Sequence, residues 1–523
     1  MNRRGFLANA GAAALGATLP VPDWGQASEP PIEHRLPPTD SDYQRSKSYI
    51  ENVPVPQYHW APDSAVEAFK DMKFGFRIHW GIYSIWHRGH ESWPFLTMSL
   101  EDREKYNHLY KTWNPTGFDA DGWMNFCQEC GFKMFAFTTK HHEGFSMFDT
   151  RTRVRNRANW TAAGGAKIED CDLAYSIMET PFRRDVVGEL TAAAHKRGIK
   201  IDLYFSHSDW YDADFRPYGW HPLQVPSSPR LWGLQPGKES KEEFWSNLKK
   251  RFADHLVVVP DPTPQQVKRM VERHRTQLTE LMTRYGKIDM LGLDIFWGPT
   301  VWPELRETIL KVRQLQPDVM IRARGIGNYG DYYTPEDFVP SSKPTTEMPW
   351  FVIYPLGRPF SYDPVASDYK GAEWLIHNLI DVTAKGGNFM VGAGPDGEGN
   401  FHPTAVSQMK EAGRWLKVNG EGIYATRPRP ASLWSDGKNL RFTRTKDNNT
   451  IYCFALEWPG RTLAVPTLKQ DEVKSVTLLG YPAELKFRWD GTRGLVIEIP
   501  EGLQQASNRP GDYAWGFRIS RDS

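Results

Sequence analysis

The feature that most constrains this chain is a recurring alternation of short apolar runs with segments of helical spacing. The runs are KFGFRIHW (73–80), KMFAFTT (133–139), IKIDLYFS (199–206), IDMLGLDIFW (288–297), VMIRARG (319–325) and NFMVGAG (388–394). They are apolar on both faces, as parallel strands covered by helices are, and do not alternate as half-exposed strands do. Helical signals fall between them. FRRDVVGELTAAAHKRG (182–198) ends in a glycine stop. TPQQVKRMVERHRTQLTELMTRYG (263–286) opens with a Thr cap and a first-turn Pro. WPELRETILKVRQLQP (302–317) halts at Pro317, and SDYKGAEWLIHNLIDVTAKGG (367–387) runs into two glycines. Repeated strand-then-helix order means a (β/α)8-like barrel or an open doubly wound sheet. No G-x-G-x-x-G follows the first strand and no phosphate-binding loop occurs, so the barrel is the expectation, within the α/β class.

A barrel keeps its chemistry at the carboxyl ends of its strands. Those ends carry His79-Trp80, Lys140-His141-His142, Ser206-His207, Asp294 and Arg324. After about residue 425 helical periodicity stops. Short strand-like segments then alternate with turn signals such as Asp436-Gly437, Asn448-Asn449 and Asp490-Gly491, which predicts an antiparallel β-sandwich. The first residues, NRRGFLANAGAAALGATLP, resemble a twin-arginine export signal whose apolar run is too short to span a bilayer. The expected organisation is a signal over 1–27, an extended arm over 28–60, a catalytic barrel over 61–425 and a sandwich over 426–523. The expected location is periplasmic or secreted. Residues 211–262, rich in Pro, Trp and Tyr, exceed an ordinary βα loop and read as a cleft-lining or surface insertion.

A net charge of +1 gives no reason to expect nucleic acid or a membrane as partner. The four cysteines are too few for a disulfide framework. Cys127 and Cys130 lie inside an apparent helix with no second pair at zinc spacing, so free thiols are expected. The 21 Trp residues suit a sugar cleft or a large aromatic core equally.

Asp294 is the most telling single residue, a carboxylate in an otherwise apolar strand. Burial there is costly unless the group is paired, hydrogen-bonded or used. It either caps the following turn or attacks an electrophilic carbon. Attack on a glycosidic carbon needs a proton donor opposite, and Glu336, Glu347, Glu143 and Glu91 are the candidates, which sequence distance does not rank. Neutral histidines pair with hydroxyls in either direction, and Arg324 offers a fixed fork of donors. Metal binding by His141-His142 is the rival reading. Adjacent residues on a regular strand point to opposite faces, and no H-E-x-x-H spacing supports it.

Several stretches together resemble the α-L-fucosidases of glycoside hydrolase family 29. They are MKFGFRIHWGIYS (72–84), MFAFTTKHHEGFSMFDT (134–150), RRDVVGEL (183–190), KIDLYFSHSDW (200–210), IDMLGLDIFWG (288–298), IRARGIGNYGDYYTPED (321–337) and LIDVTAKGGNFMVGAGPDGEG (379–399). The resemblance implies Asp294 as nucleophile and His79, His141, His142, Tyr204 and Arg324 as sugar-holding residues. It implies Glu336 as acid/base, with Glu347 as the alternative, and Glu91 and Trp93 as a further sugar-contacting pair. It implies retaining hydrolysis of terminal α-L-fucosyl residues from a fucosylated glycan, without metal or cofactor. A related sugar such as α-L-galactose, or a non-catalytic sugar receptor, is the alternative. Oligomeric state, a homo-oligomer included, is left open. The chain departs from the family pattern at Leu291-Gly292-Leu293-Asp294, where Trp-Phe-Asp is usual, and at RPFSYDP (358–364), which stands near the usual Trp-Gly-Tyr.

Overall fold

The apolar runs become strands that close on themselves. The structure is a computed structural model, and it describes residues 50–86, 90–216, 218, 221–223, 259–295, 297–344, 346–470 and 473–521. The segment expected to be an export signal, most of the expected arm and the centre of the 211–262 insertion lie outside the described residues. The barrel strands are Phe74–Ile78 (β1) and Met134–Lys140 (β2). A hairpin of Val154–Asn159 (β3) and Lys167–Leu173 (β4) leaves the barrel before it resumes at Lys200–Ser206 (β5). Met290–Asp294 (β6), Met320–Ile321 (β7), Phe351–Pro355 (β8) and Asn388–Gly392 (β9) follow. They form one parallel sheet in the order β7-β6-β5-β2-β1-β9-β8.

The gap between β7 and β8 is bridged by residues 332–336. Arg322 pairs with Tyr332, Tyr333 with Trp350 and Glu336 with Ile353, all in the parallel sense. This irregular segment is the sixth of eight staves. Its Pro335 and its polar residues hide it from a search for apolar runs.

Helices cover the outside. Asp63–Met72 (α1) places Phe69 and Met72 against the barrel floor with Met134, Met290, Met320 and Met390. Ala120–Glu129 (α2) and Val186–Arg197 (α3) start on Asp119 and Asp185, whose carboxylates accept from the Gly122 and Gly188 amides. Pro264–Arg284 (α4) has the full reciprocal cap between Thr263 and Gln266. Trp302–Leu315 (α5), Ala372–Ala384 (α6) and Pro403–Asn419 (α7) complete the layer.

The C-terminal region packs two antiparallel sheets. One has the order Arg427–Pro428 (β10), Leu440–Arg444 (β11), Thr450–Ala455 (β12), Trp515–Ser520 (β17) and Ser475–Leu478 (β14). The other joins Thr462–Val465 (β13), Gly494–Glu498 (β16) and Phe487–Asp490 (β15). Their inner faces share a core around Phe442, Cys453, Val476, Ile497 and Phe517. The sandwich grips the barrel through Arg441 on Asp381 and through Arg427 on Asp71, the latter at 2.8 Å. Val365, in a barrel loop, is the one exposed large hydrophobic side chain among the described residues. All four cysteines are free, with Cys171 half-buried and the others buried. No described helix is long and apolar enough to cross a membrane.

Candidate active site

In a strand every second residue faces the same way. Inside this barrel that period builds columns that change character from floor to rim. On β6 the column reads Met290, Gly292, Asp294; on the β7 stave it reads Met320, Arg322, Arg324; on β5 it reads Asp202, Tyr204, Ser206. Methionines close the floor, and polar groups reach the mouth.

Asp294 ends β6 and is 14% exposed. The Tyr204 hydroxyl donates to its Oδ2 at 2.8 Å, and Arg324 Nη1 and the Ile295 amide donate to Oδ1 at 3.2 and 3.0 Å. Burial alone would raise this carboxyl. The charges of Arg324 and Arg322, then His142 and the Tyr204 hydrogen bond, outweigh burial and hold it well below the usual carboxylate range. Tyr204 is pushed well above the ordinary tyrosine value by burial and by Asp294, so it stays a donor. The chain turns sharply at Ile295, where φ is 71°. A β-branched residue adopts that region only when its surroundings compel it, which marks a strained strand end next to the reactive carboxylate.

Glu336 lies across the same guanidinium. Arg324 Nη2 donates to its Oε2 while Nη1 serves Asp294, so one fork joins the two carboxyl groups. The Glu336 side chain is 13% exposed. Glu347, the other candidate, is exposed on the loop before Trp350. Glu143 is buried behind His141, with its Oε2 3.6 Å from Nδ1.

The histidines line one wall. The His141 and His142 rings lie 4.1 Å apart because β2 bulges between Thr138 and Lys140, so the pair leaves regular strand geometry. Ser92 Oγ meets His141 Nδ1 at 2.5 Å, and Ser208 Oγ meets His142 Nδ1 at 3.2 Å. His141 stacks on Tyr204 at 5.6 Å, and His79 lies 6.0 Å from both. Trp93 meets the His142 edge at 4.6 Å and Trp210 at 5.6 Å. Among the described residues no group of three metal-ligating side chains occurs.

Glu91 is buried, and its Oε1 accepts from the Phe360 and Ser361 amides at 3.0 Å each. It therefore ties the 90–93 loop to RPFSYDP, and Phe360 faces His79 at 5.0 Å. Sequence reasoning missed Trp210 and Phe360 as wall residues. It also missed Arg77, Asp202 and Arg322, although a charge inside an apolar strand is the signal that singled out Asp294.

This arrangement of an ionised carboxylate, a second carboxyl on the same guanidinium and a wall of histidines and indoles can cleave a glycosidic bond. The sequence profile of the family described as alpha-L-fucosidase matches residues 46–421, and that of the alpha-L-fucosidase C-terminal domain matches residues 435–520. The chain is 26% identical to human tissue alpha-L-fucosidase over 480 residues, covering 86% of this chain and 88% of that protein. The alpha-L-fucosidase of Dictyostelium discoideum is 24% identical over 484 residues, covering 86% and 92%. Among solved structures, alpha-L-fucosidase isoenzyme 1 from Paenibacillus thiaminolyticus superposes with a TM-score of 0.68 at 25% identity, covering 88% of this chain and 99% of that one. The Thermotoga maritima alpha-fucosidase shares the fold with a TM-score of 0.64 at 21% identity, covering 88% and 97%. With profile matches across both the barrel and the sandwich, the chain belongs to the α-L-fucosidase family, glycoside hydrolase family 29.

Proposed function

We infer that the protein is a retaining exo-α-L-fucosidase acting on terminal fucosyl residues of glycans. The observation that carries this is the Arg324 fork, which holds an ionised Asp294 and Glu336 together. Two carboxyl groups on one guanidinium fit the short separation of a retaining pair, about 5–5.5 Å, better than the wider inverting pair. Asp294 attacks the anomeric carbon, and Glu336 protonates the leaving oxygen. Glu336 then deprotonates the water that releases the sugar. Before it acts as an acid, Glu336 exchanges its Arg324 contact for the glycosidic oxygen, so substrate entry opens the fork. The histidine wall, with Trp93 and Trp210, pairs with ring hydroxyls and one apolar face. Related support comes from a Bacteroides thetaiotaomicron enzyme of this fold, which has been trapped as a covalent intermediate.

Replacing Asp294 with Ala is expected to slow turnover of an aryl α-L-fucoside by several orders of magnitude in a folded protein. The wild-type enzyme is expected to release α-L-fucose first, read by NMR before mutarotation, and to spare aryl α-L-galactoside and β-D-galactoside controls. Near-normal activity of the variant, or β-anomer as first product, overturns the mechanism. Export is a separate proposal. Arg3-Arg4 and the short apolar run to Leu19 support a twin-arginine signal and a periplasmic or secreted enzyme, testable by N-terminal sequencing of the exported protein.

A further inference from the structure

The interiors of (β/α)8 barrels are filled in layers by bulky apolar side chains, each layer drawn from alternate strands. One layer of this barrel departs from that rule. Arg77 on β1, Asp202 on β5 and Arg322 on the β7 stave occupy the first, third and fifth positions. Each lies one inward-facing step below a site residue: His79, Tyr204 and Arg324 respectively. Arg77 is 3% exposed, and Asp202 and Arg322 are fully buried. Charges buried this way add little stability over apolar packing of the same volume. A layer that breaks the packing rule directly beneath reactive groups therefore calls for a functional account.

The contacts supply one. Arg322 donates from Nε to the Leu293 carbonyl at 2.9 Å and from Nη2 to the Gly292 carbonyl at 3.1 Å, so it grips the two peptides that lead into Asp294. Arg77 Nε donates to His79 Nε2 at 3.4 Å, which fixes the orientation of that ring. The two guanidinium carbons lie 4.8 Å (Arg77) and 5.4 Å (Arg322) from the centre of the Tyr204 ring, whose hydroxyl serves Asp294. Asp202 offsets their charge. Burial pushes its carboxyl up against the pull of Arg322 and Arg77. The layer fits because position 292 is glycine: a Cβ there would lie 3.1 Å from Asp202 Oδ1 and 3.4 Å from Arg322 Nη2. That glycine is the departure from the family pattern seen in Leu-Gly-Leu-Asp. Among the described residues, Arg77 Nη1 and Arg322 Nη1 have no hydrogen-bond partner, so neither arginine is placed here to satisfy itself.

We propose that Arg77, Asp202 and Arg322 form a positioning layer that fixes Asp294, Tyr204 and His79 and sets the field at the Asp294 carboxylate without touching the sugar. The proposal rests on the reading of Asp294 as nucleophile. It goes further by giving each buried charge a signed effect.

The charged and titratable groups that face Asp294 are Arg324 and Arg322 on the β7 stave, His142 after β2, Tyr204 on β5 and Glu336 across the fork. His207, after β5, donates its amide to the Asp294 carbonyl at 3.0 Å, and burial pushes its ring down to about 3, so it is neutral. Arg322→Met removes a positive charge. The acidic limb of kcat/KM on an aryl α-L-fucoside should then move to higher pH by about one unit or more. Arg322→Lys should return most of that shift. Asp202→Asn removes a negative charge, so the limb should move lower while kcat/KM falls about tenfold or more. Arg77→Met should raise KM more than it lowers kcat, because its contact is to a sugar-holding histidine. A structural role alone would not give opposite signs at Arg322 and Asp202. If Arg322→Met does not fold, the isosteric Asp202→Asn and Arg77→Met carry the test. An acidic limb that stays or rises in Asp202→Asn, or coincides with wild type in a folded Arg322→Met, overturns the layer. The nucleophile reading stands or falls separately on Asp294→Ala.

Discussion

Gly144 in the TTKHHEGF segment gives the sharpest test of how the histidine wall is held. Its φ is +91°, and a Cβ added there would lie 2.0 Å from Asp209 Oδ1 and 2.5 Å from its Cγ. Asp209 cannot simply retreat. It is fully buried, accepts from the Asp212 amide at 3.0 Å and from Arg273 Nη1, and faces Lys140 Nζ at 3.7 Å. Gly198 supplies the control. It caps α3 with φ +66°, and nothing lies within 4 Å of an added Cβ. Gly198→Ala should lose only the backbone preference, about 1 kcal/mol. Gly144→Ala bears the same preference plus overpacking of about 1–3 kcal/mol, for a total of roughly 2–4 kcal/mol. The added methyl also pushes on the loop carrying His141 and His142, and a displacement of about 1 Å costs roughly 10²-fold in rate. The assay pairs urea unfolding followed by tryptophan fluorescence with kcat/KM on an aryl α-L-fucoside. Equal destabilisation of the two variants, with full activity in Gly144→Ala, would refute the view that the Asp209 cluster holds the wall in place.

Other consequences can be checked with the same preparation. Glu336→Ala should lose activity on poor leaving groups and, on activated aryl α-L-fucosides, speed up with azide to give α-L-fucosyl azide, whereas Glu347→Ala should behave as wild type. Rescue of the Glu347 variant instead would reverse the acid/base assignment. Lys73 is fully buried at the foot of β1, and burial and Arg427 push its ammonium down from 10.5 to about 7. The folded protein releases this proton near 7 and the unfolded chain near 10.5. Between those values the unfolded chain binds more protons, so this group's contribution to stability rises with pH. Lys73→Met should therefore be more stable than wild type at pH 6, by at most about 5 kcal/mol, with the gain shrinking toward pH 10. Stability curves that run parallel for the two proteins would contradict this.

The strands that could be read in the sequence are those buried on both faces, because nothing polar interrupts them. β1, β5, β6, β7 and β9 fall inside the apolar runs, and β2 overruns its own only by Lys140. The two staves that escaped have physical reasons. Residues 332–336 are polar, contain Pro335 and pair by single bridges, whereas β8 is apolar and buried but is bracketed by Pro349 and Pro355, which read as turn punctuation. The β3–β4 hairpin alternates in burial but is rich in charge, so it resembles surface loop. Asp294 was legible because a carboxylate in an apolar strand needs a reason. Glu336 and Glu347 could not be ranked, since both sit in polar stretches and only barrel closure brings one of them to Arg324. Arg77 and Asp202 carried the same signal as Asp294, but their meaning depends on which strands alternate around the barrel. That order is a property of the closed sheet.

Sharing one guanidinium couples the fates of the two carboxyl groups. Removing Glu336 releases half of a bidentate clamp, and the freed positive charge falls entirely on Asp294, which becomes a poorer electron donor and a better leaving group. Glu336 variants will therefore hold, before any sugar arrives, the Arg324–Asp294 arrangement that the intact enzyme reaches only once substrate has opened the clamp, so their acidic limb on activated fucosides should fall below that of wild type.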